Sequence, residues 1–393
     1  MTRIDRVSKQ DCCICRACGE VCPVGAIEFK ENYHGFKYPI IDKTRCVNCQ
    51  KCGNVCPNLK ENFKVKEGYP IAYAGKSLDD INRMASSSGG IFYEIAQIFY
   101  HDGYVAGAVF DKDFILKHIV SNKIDVIKKM RGSKYVQSDN NGEFVKIKNL
   151  LKEKKVLFCG CPCQVAGLKH FIGTENDNLY TIDFICHGIP GQEMLSEYIK
   201  FREKRAKSKL IELKFKDKKN GWHKSCCCCC SFENGKKYYA PLTVDPYMNG
   251  FLSGYTMKES CYTCKYKNST SGSDITLGDF WGAEVLCPEE DDNKGLSVMI
   301  ANTEKGKKIL EELSIERMEI PLSSIIRYNK NYAYATPKNQ KSGEFWEVCQ
   351  KMDYQYAIKK YLYEKPLKKF RRKMHYGIRY FYYKIQGRGK PLY

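Results

Sequence analysis

Cys12-Cys13-Ile14-Cys15-Arg16-Ala17-Cys18-Gly19-Glu20-Val21-Cys22-Pro23 and Cys46-Val47-Asn48-Cys49-Gln50-Lys51-Cys52-Gly53-Asn54-Val55-Cys56-Pro57 are two copies of one pattern, C-x2-C-x2-C-x3-C-P. The spacing has a physical cause. Three close thiolates wrap three irons of a 4Fe-4S cube, and the fourth cysteine leaves on a proline-directed turn to reach the other cube. Cys12, Cys15, Cys18 and Cys56 are therefore expected to hold one cluster, and Cys46, Cys49, Cys52 and Cys22 the other. A zinc knuckle or a disulfide knot is the competing reading. Zinc sites repeat CxxC pairs but do not need the third cysteine, the fourth after three residues and the proline, twice over. Cys13 reads as a bystander thiol beside a ligand.

The chain has 393 residues, too many for a two-cluster ferredoxin module alone. At ~150 residues per domain, two or three domains are expected. A hydrophobic content of 43% is enough for a buried core. There are 22 cysteines, and Met1-Thr2-Arg3-Ile4-Asp5 leads into no apolar segment. Thiolate-rich sites without such a segment point to metal ligation in a reducing cytoplasm rather than to disulfides. No apolar run is long enough to span a membrane. The richest stretch, residues 91–110, is broken by Glu94, Gln97, His101 and Asp102.

The net charge is +20, and residues 365–393 carry ten Lys or Arg and no acidic residue, which is half of it. Phe370, Tyr376, Tyr380, Phe381, Tyr382 and Tyr383 are interleaved. A solvated terminal helix, an anionic membrane surface and an acidic partner are the readings of such a tail. The second would put a cytoplasmic chain peripherally at the inner face of the membrane. No nucleic acid is expected as a partner, because no nucleic-acid-binding fold is visible elsewhere.

Between cluster module and tail the pattern alternates. Residues 58–70 read as a linker punctuated by Gly68 and Pro70. Residues 89–100, 143–151, 163–171, 192–205 and 304–313 show helical periodicity, and 104–110, 117–120, 156–159, 179–186, 297–302 and 315–320 read as strands. The fold class expected is α+β or α/β: a ferredoxin-like domain, a mixed α/β core with a partly parallel sheet, and a basic C-terminal tail. Residues 210–242 turn to β, with Asn234-Gly235 as a hairpin turn. Cys226 to Cys230 fall in that hairpin. Adjacent strand residues face opposite sides, so the five cannot meet at one metal and are read as plain strand.

Four further cysteines sit where chemistry favours them. Cys163 opens a helix after a strand, and Cys186 ends the next strand. In an open α/β sheet ligands gather at the carboxyl ends of strands. With the pair in Cys261-Tyr262-Thr263-Cys264, these make a four-cysteine site. Unrelated structural thiols and a zinc site are the alternatives. No GxGxxG follows a strand, so a dinucleotide Rossmann site is unsupported. Gly75-Lys76-Ser77 is not a P-loop, because Pro70 stands where the first glycine is required.

Ser87-Ser88-Gly89-Gly90, Gly132-Ser133-Lys134-Tyr135-Val136-Gln137-Ser138, the run from Gly160 to Leu168, Asp183-Phe184-Ile185-Cys186-His187-Gly188 and Asp274 to Gly282 together resemble the coenzyme F-420 hydrogenase/dehydrogenase beta-subunit family, over roughly residues 1–320. The resemblance implies FAD, a third 4Fe-4S cluster beside it, and electron exchange with a redox partner protein or soluble two-electron carrier. It gives the domains as 1–60 (two clusters), 70–155 (flavin-binding), 156–330 (third cluster) and 331–393 (tail). It also implies cofactor contacts at Ser87, Ser88, Gly89, Gly90, Lys134, Gln137 and Asp279. Lys134 and His187 are the expected catalytic groups, for charge neutralisation and proton shuttling. Ser86 to Gly90 is small, polar and opens a helix, which suits a pyrophosphate. Family members with this N-terminal fusion resemble polysaccharide-locus proteins. The function expected is an iron–sulfur flavoprotein oxidoreductase. A non-catalytic electron-transfer subunit of a larger redox complex is the alternative.

Overall fold

The structure, a computed structural model, describes residues 3–223, 226–363 and 374. Its residues fall into two compact units. The first comprises residues up to 193 and 257–337, and the second comprises 194–256 and those from 338 onward.

The first unit begins with the doubled cysteine run. In both copies the second residue after the first cysteine and the first residue after the second are left-handed. These are Ile14 (φ 58°) and Arg16 (φ 72°), then Asn48 (φ 55°) and Gln50 (φ 61°). A β-branched residue such as Ile14 rarely adopts this conformation. Its recurrence at the same place in both runs marks the ligand loop as a shape imposed by the site. Short helices follow at Ala17–Glu20 and Lys51–Asn54. Strands β1 (Ile27–Glu31) and β2 (Lys37–Ile41) pair antiparallel between the two runs.

The large sheet takes β3 (Ile71–Ser77), β4 (Gly103–Phe110), β5 (Leu116–Ser121), β6 (Lys155–Cys159) and β7 (Leu179–Phe184). The chain passes through β8 (Leu210–Asp217), β9 (Cys227–Phe232) and β10 (Lys237–Pro241) before adding β11 (Ile275–Asp279), β12 (Ser297–Ala301) and β13 (Ile315–Glu319) to that sheet. The spatial order is β13-β3-β12-β11-β7-β6-β4-β5. The central contacts β4–β6, β6–β7 and β7–β11 are parallel, and the others are antiparallel. Val156, Leu157 and Phe158 of β6 are fully buried, as a parallel strand covered on both faces requires. Strands from both sides of residue 155 alternate in this one sheet, so the boundary expected there does not divide it.

One face of the sheet packs against helix Ile91–Phe99, which turns Ile91, Ile95, Ala96 and Phe99 inward onto Val105, Leu157 and Ile182. A second cluster joins Cys13, Cys15, Ala17 and Val55 of the cysteine runs to Phe144, Phe158, Val165 and Leu168. The cysteine module therefore shares the core of the α/β region; each buried large side chain there contributes roughly 2 kcal/mol. Polar contacts fix the seam. Glu20 accepts from the Val145 N–H at 2.9 Å, in the first turn of helix Glu143–Leu150, and Arg16 pairs with Asp139 at 2.8 Å.

In the second unit β8, β9 and β10 form an antiparallel sheet. Cys228 and Cys230, two apart on β9, both face the Tyr198 hydroxyl at 3.6 and 3.7 Å, and all five cysteines of the run are buried. A buried ion pair, Arg202 to Asp245 at 2.9 Å, lies beside them. Among the described residues no helix is long and apolar enough to cross a membrane. The basic tail, residues 365–393, lies outside the described residues apart from Met374.

Candidate metal centres

Cys12, Cys15, Cys18 and Cys56 line one cavity, and Cys22, Cys46, Cys49 and Cys52 line another. The last cysteine of each run thus stands with the first three of the other. Cys22 turns its sulfur back to accept from the Ala26 N–H at 3.2 Å. The first cavity is inward: Cys15, Cys18 and Cys56 are buried, whereas Cys49 of the second is exposed. Burial chiefly, with Cys12, Cys56 and Cys52 adding like charge, holds the Cys18 thiol well above its ordinary pKa. Four converging thiols in such a place favour a cation that takes their protons' role. Soft sulfur donors in these numbers fit iron–sulfur ligation.

A third cavity gathers Cys163, Cys186, Cys261 and Cys264. Cys163 is in the first turn of helix Pro162–Ile172, directly after β6. Cys186 follows parallel strand β7, so both thiols come from the carboxyl edge of neighbouring strands. Cys261 lies in the short helix Glu259–Tyr262, and Cys264 follows it. Burial pushes Cys261 up to about 12 and Cys264 up to about 11. Cys186 is drawn down to about 7, chiefly by a hydrogen bond from Cys161. Cys161 itself is the N-cap of helix Pro162–Ile172, and its backbone N–H donates to Gln164 Oε1 at 2.9 Å. His187 lines the same cavity, with Nδ1 3.1 Å from Asn331 Oδ1.

Two residues join this cavity to the first. Cys13 lines both, and its thiol hydrogen-bonds to Cys15 on one side and Cys163 on the other. Lys258, 1% exposed, lines the third cavity and donates to the Cys13 carbonyl oxygen at 2.6 Å and to Gln137 Oε1 at 3.1 Å. Sequence reasoning missed both. Cys13 carries the signal of an extra cysteine inside a ligand run. Lys258 is one lysine in a chain with 65 Lys and Arg, and nothing local sets it apart.

The residues expected at a flavin gather at the same edge of the sheet, but several are engaged within the protein. Ser87 Oγ accepts from the Ser133 N–H at 2.7 Å, and Ser88 Oγ donates to the Leu296 carbonyl at 2.7 Å. Gly89 donates its N–H to Ser297 Oγ at 2.9 Å, and Ser297 is the register partner of Asp279. A Cβ on Gly89 would stand 2.5 Å from the Gly75 carbonyl oxygen, so glycine is required there by the fold itself. Gly90 (φ +89°) is the N-cap of helix Ile91–Phe99. The Lys134 ammonium donates to the carbonyls of Met130, Arg131 and Gly132 at 2.9–3.1 Å, closing the end of helix Ile124–Met130. Burial lowers it to about 8. Gln137 is turned to Lys258. The Gly89 N–H and the Lys134 ammonium thus do not fit the role of phosphate donors, and no step is derived through a flavin.

Residues 153–325 match the family described as the C terminus of the coenzyme F420 hydrogenase/dehydrogenase beta subunit. Residues 11–59 match the 4Fe-4S dicluster domain. Over these segments the chain belongs to the coenzyme F420 hydrogenase/dehydrogenase beta-subunit family, behind a dicluster domain. All four cysteines of the third cavity fall inside the beta-subunit region, and all eight of the first two inside the dicluster domain. No curated protein matches the chain. Among solved structures it is similar to a chain of the F420-reducing NiFe hydrogenase complex from Methanosarcina barkeri. The identity is 17%, the TM-score is 0.47, and the match covers 72% of this chain and 94% of that one.

Proposed function

We propose that this iron–sulfur electron-transfer protein holds three 4Fe-4S clusters in a row: one on Cys22, Cys46, Cys49 and Cys52, one on Cys12, Cys15, Cys18 and Cys56, and one on Cys163, Cys186, Cys261 and Cys264. The observation that carries the reading is Cys13, which lines both the inner dicluster cavity and the third cavity. Such clusters supply one-electron chemistry when bound. The chain's own part is to hold the thiolates, to exclude water from the two inner sites, and to leave the Cys49 end exposed for a redox partner.

Oxidoreductase activity with a two-electron carrier or substrate is the further step. It rests on the family and on the cavity edge that His187 shares with the cysteines. FAD is the finer part of this reading. It is supported by the gathering of Ser87 to Gly90, Lys134 and Asp279 at one sheet edge, and its phosphates would need donors other than those already engaged. A place in polysaccharide assembly rests on the resemblance to fused bacterial proteins alone, and membrane attachment on the charge of residues 365–393 alone.

The experiment is anaerobic purification of the full chain, with flavin released by acid and quantified, and reduction by dithionite followed by EPR. Three distinct reduced-cluster signals are expected. One flavin per chain would favour the enzyme. Absence of flavin, with tight co-purification of another protein, would favour the relay subunit. Signals from the dicluster domain alone would refute the three-cluster reading.

A further inference from the structure

Lys258 is buried between two groups of cysteines and belongs to neither. Its backbone N–H donates to the Ile189 carbonyl, and its own carbonyl accepts from the Cys261 N–H, both at 2.9 Å. The main chain is therefore pinned where the loop of the third site begins. The side chain reaches the other way, with 2.6 Å from Nζ to the Cys13 carbonyl oxygen in the first cysteine run. Gln137 Oε1 takes a second donor at 3.1 Å. Burial disfavours the ammonium, yet the thiolates of Cys261, Cys163, Cys13 and Cys161 outweigh it and keep Lys258 charged.

A buried charge costs several kcal/mol unless its surroundings compensate it. The surroundings here are sulfur ligands of two sites. We propose that Lys258 is the positioning residue of the junction: its fixed positive charge stabilises an added electron at the Cys12/Cys15/Cys18/Cys56 site and at the Cys163/Cys186/Cys261/Cys264 site. The proposal rests on the three-cluster reading. The step it concerns is gain of one electron, with no bond made or broken and no proton moved. The added unit of negative charge meets an ammonium in a low-dielectric interior, where Coulomb attraction is far stronger than in water. The Cys22/Cys46/Cys49/Cys52 cavity does not include Lys258 and is the internal control.

The test is a redox titration of the full, anaerobically purified chain, followed by EPR, for the parent, Lys258→Met and Lys258→Arg. Methionine keeps length and apolar stem while removing the charge. The expected result is a downward shift of two midpoint potentials in Lys258→Met, with the third cluster signal at its parental potential. Lys258→Arg keeps all three near parental values. Three unchanged potentials in Lys258→Met would overturn the proposal, as would an equal shift of all three. Should Lys258→Met lose the third cluster, Lys258→Arg decides: parental potentials support the charge, and a lowered pair refutes it. A parent with only two clusters would instead refute the reading of the function on which this rests.

Discussion

Gly167 approaches Cys15 so closely that a Cβ on Gly167 would stand 2.8 Å from both Cβ and Sγ of Cys15. Gly167 is one turn along the helix that carries Cys163, so the helix of the third site packs directly on a ligand loop of the dicluster domain. Gly167→Ala should therefore push the Cys15 loop aside. Overpacking of this kind costs about 1–3 kcal/mol. The expected outcome is a lower thermal midpoint for loss of cluster absorbance. An unchanged midpoint would mean the contact yields without cost.

Crossed ligation has a combinatorial signature. Cys22 and Cys49 line the same cavity, whereas Cys22 and Cys15 line different ones. Each single alanine variant is expected to lose about four irons. The Cys22→Ala/Cys49→Ala pair should lose the same four, and the Cys22→Ala/Cys15→Ala pair about eight. The opposite pattern would show that each run closes on its own cluster.

His118 gives the protein a built-in acid sensitivity. It is 3% exposed, lies 3.0 Å from the Cys159 carbonyl oxygen through Nε2, and stacks on Phe158. Burial lowers its pKa from 6.5 to about 4. The folded state resists a proton that the unfolded state accepts. The stability is therefore whole above pH 6.5 and falls as pH drops toward 4, by about 1.4 kcal/mol per pH unit. His118→Gln should flatten this slope. Thermal midpoints of parent and variant at pH 7.5 and 5.5 check it, and parallel losses in both would assign the acid sensitivity elsewhere.

In the second unit the Asp245 carboxylate is fully buried and accepts from Arg202, from Tyr198 at 2.6 Å and from Tyr238 at 3.2 Å. Arg202→Met removes the only cation among these partners. Loss of one member of a buried pair typically costs about 3–5 kcal/mol. The expected result is a markedly lower unfolding midpoint. Arg202→Met together with Asp245→Asn should recover part of it.

The cysteine pattern made both dicluster sites legible, because ligand spacing is a local property of sequence. The third site was legible for a different reason. Cys163 and Cys186 each follow an apolar run read as a strand, and parallel neighbours bring strand ends together. Strand β3 was missed. Residues 71–77 mix Ala, Gly, Lys and Ser, and its burial comes from β12 and β13, far along the chain. Lys258 was equally hidden, since its role comes from Cys13, 245 residues away. Lys134 was read as a charge offered outward, whereas its head closes a helix end four residues back. Local composition cannot separate those uses of a lysine.

The most direct measurement is iron and acid-labile sulfide per chain, on protein purified anaerobically and reconstituted, for the parent and for Cys163→Ala. Three cubane sites require about twelve irons in the parent and about eight in the variant, with the dicluster EPR signals unchanged. A parent holding about eight irons, or a variant that loses none, would contradict the third centre and with it the continuous row of clusters.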